Sequence, residues 1–185
     1  FYGQNLTENL INNSKLYNGA KILLHKVLKP ELFGVAKINN KNKIIKIKEK
    51  PKKFFSNLAI TGLYFFDNSV VKYAKKLKPS KRGEVEIVDL LNFYKSKNQL
   101  SADLIGRGGA WLDTGSMDDF YKTSNFVSAI ENRQGLKIAC LEEIAFNNKW
   151  TNKKDIKSSI KFYHTYYSIF EYFVSNVGSG QRFNL

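Results

Sequence analysis

An α/β fold built on a mixed sheet is predicted by three features of this 185-residue sequence. Apolar extended runs alternate with amphipathic stretches from residue 20 to residue 133. Leu58 to Phe66 is a dense apolar run, the signature of a buried strand, with Thr61 and Gly62 at its centre marking close approach of a backbone or ligand. Residues 43–50 alternate, placing Lys46 and Lys48 on one face and Ile45, Ile47 and Glu49 on the other.

The elements follow in order. Residues 5–18 carry Leu6, Leu10, Ile11 and Leu16 at helical spacing and stop before Gly19, a C-terminal helix glycine. Residues 20–28 form a strand, 30–34 a loop, and 35–38 with 43–50 a hairpin turning over at 39–42. Glu49 thus ends on the apolar face, where an acid needs a partner or a polar ligand, and Pro51 stops the strand just after Lys50. Asp67 is expected to cap a helix over 68–77, ended by Pro79. A polar turn, 80–83, holds Arg82. A helix over 84–97, a strand over 100–105 and a helix over 116–133 complete the first part, residues 1–135. The second part, 136–185, reads as a strand over 136–140, helical turns over 142–147 and 153–160, and an aromatic-crowded helix over 162–177 suited to packing on another subunit.

Composition narrows the classes of function. The net charge is +14, but the cations are Lys apart from Arg82, Arg107, Arg133 and Arg182. With the wealth of Asn, Ile, Phe and Tyr, this is the vocabulary of A/T-rich codons, and no nucleic-acid module appears, so specific nucleic-acid binding is not expected. No run is long enough to span a membrane and residues 1–20 lack the order of a signal peptide, which predicts a soluble, cytoplasmic protein. The chain begins at Phe1 rather than Met, so the start is expected to be processed, trimmed or missing. Cys140 is the single cysteine, which excludes an internal disulfide or a thiolate metal cluster.

One segment carries chemistry. In G-R-G-G-A-W-L-D-T-G, residues 106–115, Asp113 stands between an apolar pair and the start of a helix that Thr114 and Gly115 can cap. A carboxylate there can meet phosphate and a divalent cation at a helix N-terminus, and it can equally serve only as a cap or turn residue. Neither His25 nor His164 has a paired acid in a nucleophile motif.

The order of motifs resembles the sugar-nucleotide pyrophosphorylases, most closely the glucose-1-phosphate thymidylyltransferases among them. The matching segments are F-Y-G at Phe1, E-L-F-G-V at Glu31, E-K-P at Glu49, N-L-A-I-T-G-L-Y-F-F-D at Asn57, L-K-P-S-K-R-G-E-V-E-I at Leu77, the Asp113 segment, and E-N-R-Q-G-L-K-I-A-C-L-E-E-I-A at Glu131. Together they run through residues 1–152. The resemblance implies a Rossmann-like, mixed-sheet nucleotide-diphospho-sugar transferase fold. It implies Mg²⁺-assisted, in-line attack of glucose 1-phosphate on the α-phosphorus of dTTP, giving dTDP-glucose and pyrophosphate for deoxysugar (dTDP-rhamnose) polysaccharide precursors, in a homotetramer. By the same resemblance Asp113 holds the metal, Lys50 and Arg82 contact the sugar phosphate as catalytic residues, and Glu49 accepts hydrogen bonds from sugar hydroxyls. Phe33, Gly34, Ile60, Thr61, Gly62 and Tyr64 line the pocket and Trp111 forms a wall beside the metal, although plain packing explains Ile60 and Tyr64 equally. Cys140, Glu143 and Ile144 fall where a second, regulatory nucleotide site lies in the family.

Two departures stand out. Phe33 replaces a tyrosine usual in the family and loses its hydroxyl. The family's N-terminal nucleotide-binding part, with its Gly-rich loop, base-reading Gln and second metal-binding Asp, has no counterpart, so the fold is expected to lack its first strands and residues 1–185 alone to be inactive and poorly folded. The competing readings are a non-catalytic remnant or assembly subunit, a transferase for uridylyl or other nucleotidyl groups, and a basic nucleic-acid binder.

Overall fold

The structure, a computed structural model, describes residues 1–3, 6–16, 18–40 and 42–162. It divides into two units, Phe1–Trp111 and a second beginning at Leu112.

The first unit holds β1 (Tyr2–Gly3), α1 (Leu6–Ser14), β2 (Ala20–Lys26), a 3-10 turn at Pro30–Leu32, β3 (Gly34–Ile38), β4 (Ile44–Glu49), β5 (Leu58–Phe66), α2 (Val70–Ala74), α3 (Ile87–Ser96), β6 (Leu100–Leu104) and β7 (Gly109–Ala110). A five-stranded sheet runs β4-β3-β5-β2-β6, and β1 pairs with β7 in a separate ribbon. The β2–β6 pair is parallel and the other pairs are antiparallel, so the expected mixed sheet is present. The sheet curls enough for Lys43, just before β4, to bridge Ser101 in β6 at the opposite edge.

Helix α3 covers one face of the sheet. Its Val88 and Leu91 pack with Ile22, Leu24, Ala36, Ile47, Leu58, Ile60 and Ala102, while Leu90 and Tyr94 join Ala20 in a second cluster beside Phe66 and Tyr73. Spacings of three and four along one helix place these four residues on the buried side.

Four expectations need correction in this unit. The first helix is shorter than 5–18, and Gly19 does not cap it. Gly19 instead stands just ahead of β2 with φ +87, and a Cβ there would lie 2.5 Å from the Gln99 carbonyl oxygen. The core-facing residue of β4 is Ile44 rather than Ile45, because the register slips between Lys37 and Ile38: Lys37 pairs with Lys46 but Ile38 with Ile44. The extra residue, Ile45, bulges outward and is 50% exposed. The helices expected over 68–77 and 84–97 shrink to α2 and α3. Finally, Asp67 is not the cap of α2, since Ser69 occupies that position without a side-chain cap bond.

Asp67 is instead a junction. Its Oδ2 accepts from the Gly19 N–H at 2.6 Å, and its Oδ1 accepts from the Ser69 N–H at 2.9 Å and from the Tyr94 hydroxyl at 2.8 Å. Burial pushes its carboxyl upward, but the hydrogen bonds from Gly19, Tyr94 and Ser69 outweigh that and hold it below its ordinary value. The same contacts push the Tyr94 hydroxyl up, burial contributing most. A depressed folded-state value means stability that is present above the ordinary aspartate value of 3.8 and lost as pH falls through the folded one. Asp67→Ala leaves three donors unmet and is expected to cost about 2 kcal/mol, solvent access limiting the loss. Urea melts should show that cost at neutral pH and a smaller difference from wild type in acid.

The second unit contains α4 (Met117–Gln134), α5 (Leu141–Asn147) and α6 (Lys153–Phe162). Ser116, rather than Thr114 or Gly115, caps α4: its Oγ accepts from the Asp119 N–H at 3.1 Å and donates to Asp119 Oδ2 at 2.6 Å. Gly135, φ 69, closes the helix with its N–H on the Glu131 carbonyl. The strand expected over 136–140 does not form. The Glu131 carboxylate accepts from the Ile138 N–H at 2.9 Å and from Lys137 Nζ at 2.8 Å, tying this stretch to α4, and Ala139 at φ 53 breaks the extension. The Asn152 side chain accepts from the Lys154 and Asp155 N–H groups and starts α6. The aromatic helix expected over 162–177 lies outside the described residues from 163 onward.

Candidate functional site

Antiparallel pairing of β3 with β4 sets Gly34 opposite Glu49. A Cβ at Gly34 would lie 2.9 Å from Glu49 Oε2, 3.2 Å from Val88 Cγ2 and 3.5 Å from Ile60 Cδ1, so the Glu49 carboxylate lies over bare backbone, close to β5 and α3. The parity argument therefore holds for Glu49 and Ile47. Burial raises the Glu49 carboxyl and the Glu86 charge adds to it, against the lowering pull of Lys50 and Arg82. Tyr64 is raised by burial first and then by the Glu49 charge. It stacks on Phe66 with centroids 5.9 Å apart.

The partner that Glu49 needs is Arg82. The turn that carries it is closed by the Gly83 N–H on the Ser80 carbonyl at 2.9 Å and the Ser80 N–H on the Glu84 carbonyl at 2.8 Å. Ser80 Oγ also accepts from the Arg82 N–H at 3.2 Å. From this turn the guanidinium meets three carboxylates: Nη2 to Glu84 Oε2 at 2.9 Å, Nη1 to Glu86 Oε1 at 3.5 Å and Nη1 to Glu49 Oε1 at 3.8 Å. Ser80 Oγ donates to Glu86 Oε1 at 2.9 Å and fixes it. Glu84, Glu86 and Ser80 escaped the sequence reading. The signal was present in R-G-E-V-E, where acids follow an arginine at two and four positions.

Lys50 leaves β4 with φ 37 and its N–H on the Phe33 carbonyl at 3.0 Å, ahead of the buried Pro51. Its side chain is exposed. Phe33 meets Trp111 edge to face at 5.1 Å, and His25 meets the same indole at 6.3 Å. Burial lowers the His25 imidazole, and its Nδ1 is buried with no hydrogen-bond partner among the described residues. The Thr61 hydroxyl is spent inside the sheet, donating to the Leu23 carbonyl at 3.0 Å. Gly62, φ 80, has open space where a Cβ would stand. The structure thus brings Gly34, Glu49, Ile60 and Arg82 together, with Lys50 acting on the Glu49 charge and that charge acting on Tyr64, and pairs Phe33 with Trp111.

In the second unit Asp113 is exposed. Its Oδ1 accepts from the Thr114 N–H at 3.0 Å, and its Oδ2 lies 3.3 Å from where a Gly115 Cβ would be. It caps no helix. Among the described residues no three His, Cys, Asp or Glu side chains cluster as a metal cage. A lone, exposed carboxylate beside a glycine fits Mg²⁺, which keeps several waters and takes substrate phosphates as ligands. Cys140 precedes α5, its thiol 3.5 Å from Glu142 Oε2 and raised first by burial. Glu143 is 6% exposed and Ile144 half-buried.

Against known proteins, residues 1–130 match the family model described as nucleotidyl transferase. A glucose-1-phosphate thymidylyltransferase of Neisseria gonorrhoeae is 45% identical over 161 residues, 87% of this chain and 56% of that protein. One from Xanthomonas campestris pv. campestris is 43% identical over 157 residues, 85% of this chain and 53% of its own length. A Bacillus anthracis crystal structure, assigned to a glucose-1-phosphate thymidylyltransferase and holding sucrose, superposes with TM-score 0.55 at 42% identity, covering 65% of this chain and 47% of that one. The chain spans about half the length of the curated relatives it matches.

Proposed function

The chain belongs to the nucleotidyl transferase family, and on that premise we propose that it is the sugar-phosphate half of a glucose-1-phosphate thymidylyltransferase. The observation that carries this reading is the placement of Arg82 beside Glu49 over Gly34: one forked cation for a phosphate, next to one acceptor for hydroxyls.

In the reaction, a phosphate oxygen of glucose 1-phosphate attacks the α-phosphorus of dTTP. The bond from that phosphorus to the oxygen bridging the β-phosphate breaks, and pyrophosphate leaves with the electron pair. No protein nucleophile is needed. Arg82 and Lys50 hold the sugar phosphate from two sides and offset its charge, which otherwise opposes an anionic nucleophile approaching an anionic nucleotide. Glu49 accepts from sugar hydroxyls, and its low exposure favours sugar over water. Trp111 and Phe33 form an apolar wall. Asp113 is the carboxylate that would hold Mg²⁺, which when bound neutralises charge on the nucleotide phosphates.

Wider features of this reading are also proposals: supply of dTDP-sugars to rhamnose-containing polysaccharides, a cytoplasmic site of action, and a homotetramer. No helix among the described residues is long and apolar enough to cross a membrane. Exposed Met117, Phe120 and Tyr121 on α4 offer apolar surface for self-association. Cys140, Glu143 and Ile144 are retained as the place of a regulatory nucleotide contact.

The test is pyrophosphate release by the natural protein supplied with Mg²⁺, glucose 1-phosphate and either dTTP or UTP. Release that requires the sugar phosphate and is faster with dTTP supports the reading. A clear preference for UTP would reassign the base, and no release with either nucleotide would contradict transferase activity.

A further inference from the structure

We propose that Glu84 is an electrostatic latch on Arg82, which an incoming phosphomonoester must displace, so that Glu84 sets the affinity of the site for its sugar phosphate. This rests on the reading of Arg82 as the phosphate ligand.

Three carboxylates face the guanidinium, and Lys50 is the further cation acting on Glu49. The three acids outnumber the two cations, so a phosphate dianion entering this arrangement meets net negative charge and one acid must give way. Glu49 is held on its strand over Gly34 and beside Ile60, and Glu86, only 13% exposed at its side chain, is bonded by Ser80 Oγ. Both are fixed. Glu84 is different: its side chain is 62% exposed, it follows the open glycine turn at Gly83, and it makes the shortest contact with Arg82, 2.9 Å through Nη2. It therefore occupies the guanidinium edge that a phosphate would take, and it leaves at the smallest cost in desolvation. The arginine is kept oriented while the site is empty, and the anion gains access by exchanging one carboxylate for its own oxygens.

The experiment is calorimetric titration of the natural protein with glucose 1-phosphate and with inorganic phosphate. Glu84→Gln is expected to bind both about two- to fivefold more tightly than wild type at low ionic strength, the scale of an exposed ion pair, with the gain shrinking as salt is raised. Glu84→Asp keeps the charge with a shorter reach and should fall between the two. A residue that merely shaped the turn would loosen binding in both variants. If wild type binds glucose 1-phosphate and Glu84→Gln binds it equally or more weakly, the latch is overturned and the phosphate role of Arg82 stands. If neither protein binds either phosphate, both are overturned.

Discussion

Arg82→Gln raises the KM for glucose 1-phosphate about 10- to 100-fold and leaves the KM for dTTP within about twofold. The scale is that of charge-assisted hydrogen bonds to phosphate, which exceed those between neutral groups. The split follows from position: Arg82 stands with Glu49 over Gly34, in the corner assigned to the sugar phosphate. Glutamine keeps part of the length and two donors, so the turn from Ser80 to Glu84, closed by backbone bonds, should survive and the melting temperature should move little. Equal increases in both KM values, or none in that for the sugar phosphate, would show that Arg82 does not hold it.

Asp113→Asn lowers turnover by about 100-fold or more, the loss expected when a charge-neutralising metal is poorly held. The amide oxygen can still accept from the Thr114 N–H, as Asp113 Oδ1 does, so the loop and the start of α4 are preserved. On the proposed reading raised Mg²⁺ should recover part of the lost rate, because the remaining ligands would be phosphates and water. Turnover with an unchanged Mg²⁺ dependence would remove Asp113 from the metal.

The sheet was legible in the sequence because burial writes itself as a run or an alternation. Leu58 to Phe66 is one strand with the expected bounds, and Glu49 falls on the inner side with Ile47. The bulge at Ile45 was not legible, since it arises from the register of two strands and leaves no mark on either alone. Residues 136–140 misled for a related reason: apolar residues in a short run resemble a strand, but the Glu131 carboxylate takes the Ile138 N–H that a sheet partner would otherwise claim. Asp67 looked like a cap because Asp before an apolar helix commonly is one. Its use as a junction depends on Gly19 and Tyr94, respectively 48 and 27 residues away.

In the site, the family resemblance pointed to Glu49 and Arg82, and the structure brings them within 3.8 Å. The competition for that arginine shows in the sequence only as the spacing R-G-E-V-E, which a helix start explains as readily. Glu84 and Glu86 read as the start of a helix, whereas both stand before α3 and turn onto the guanidinium. Trp111 was assigned to the site by resemblance alone; in the structure it makes edge-on contacts with Phe33 and His25.

The most direct measurement is a crystal structure of the natural protein grown with glucose 1-phosphate. The account predicts the phosphate within hydrogen-bond distance of the Arg82 guanidinium, sugar hydroxyls donating to Glu49 above Gly34, and Glu84 turned away from the arginine. A sugar phosphate bound elsewhere, with Arg82 still paired to Glu49, Glu84 and Glu86, would contradict it.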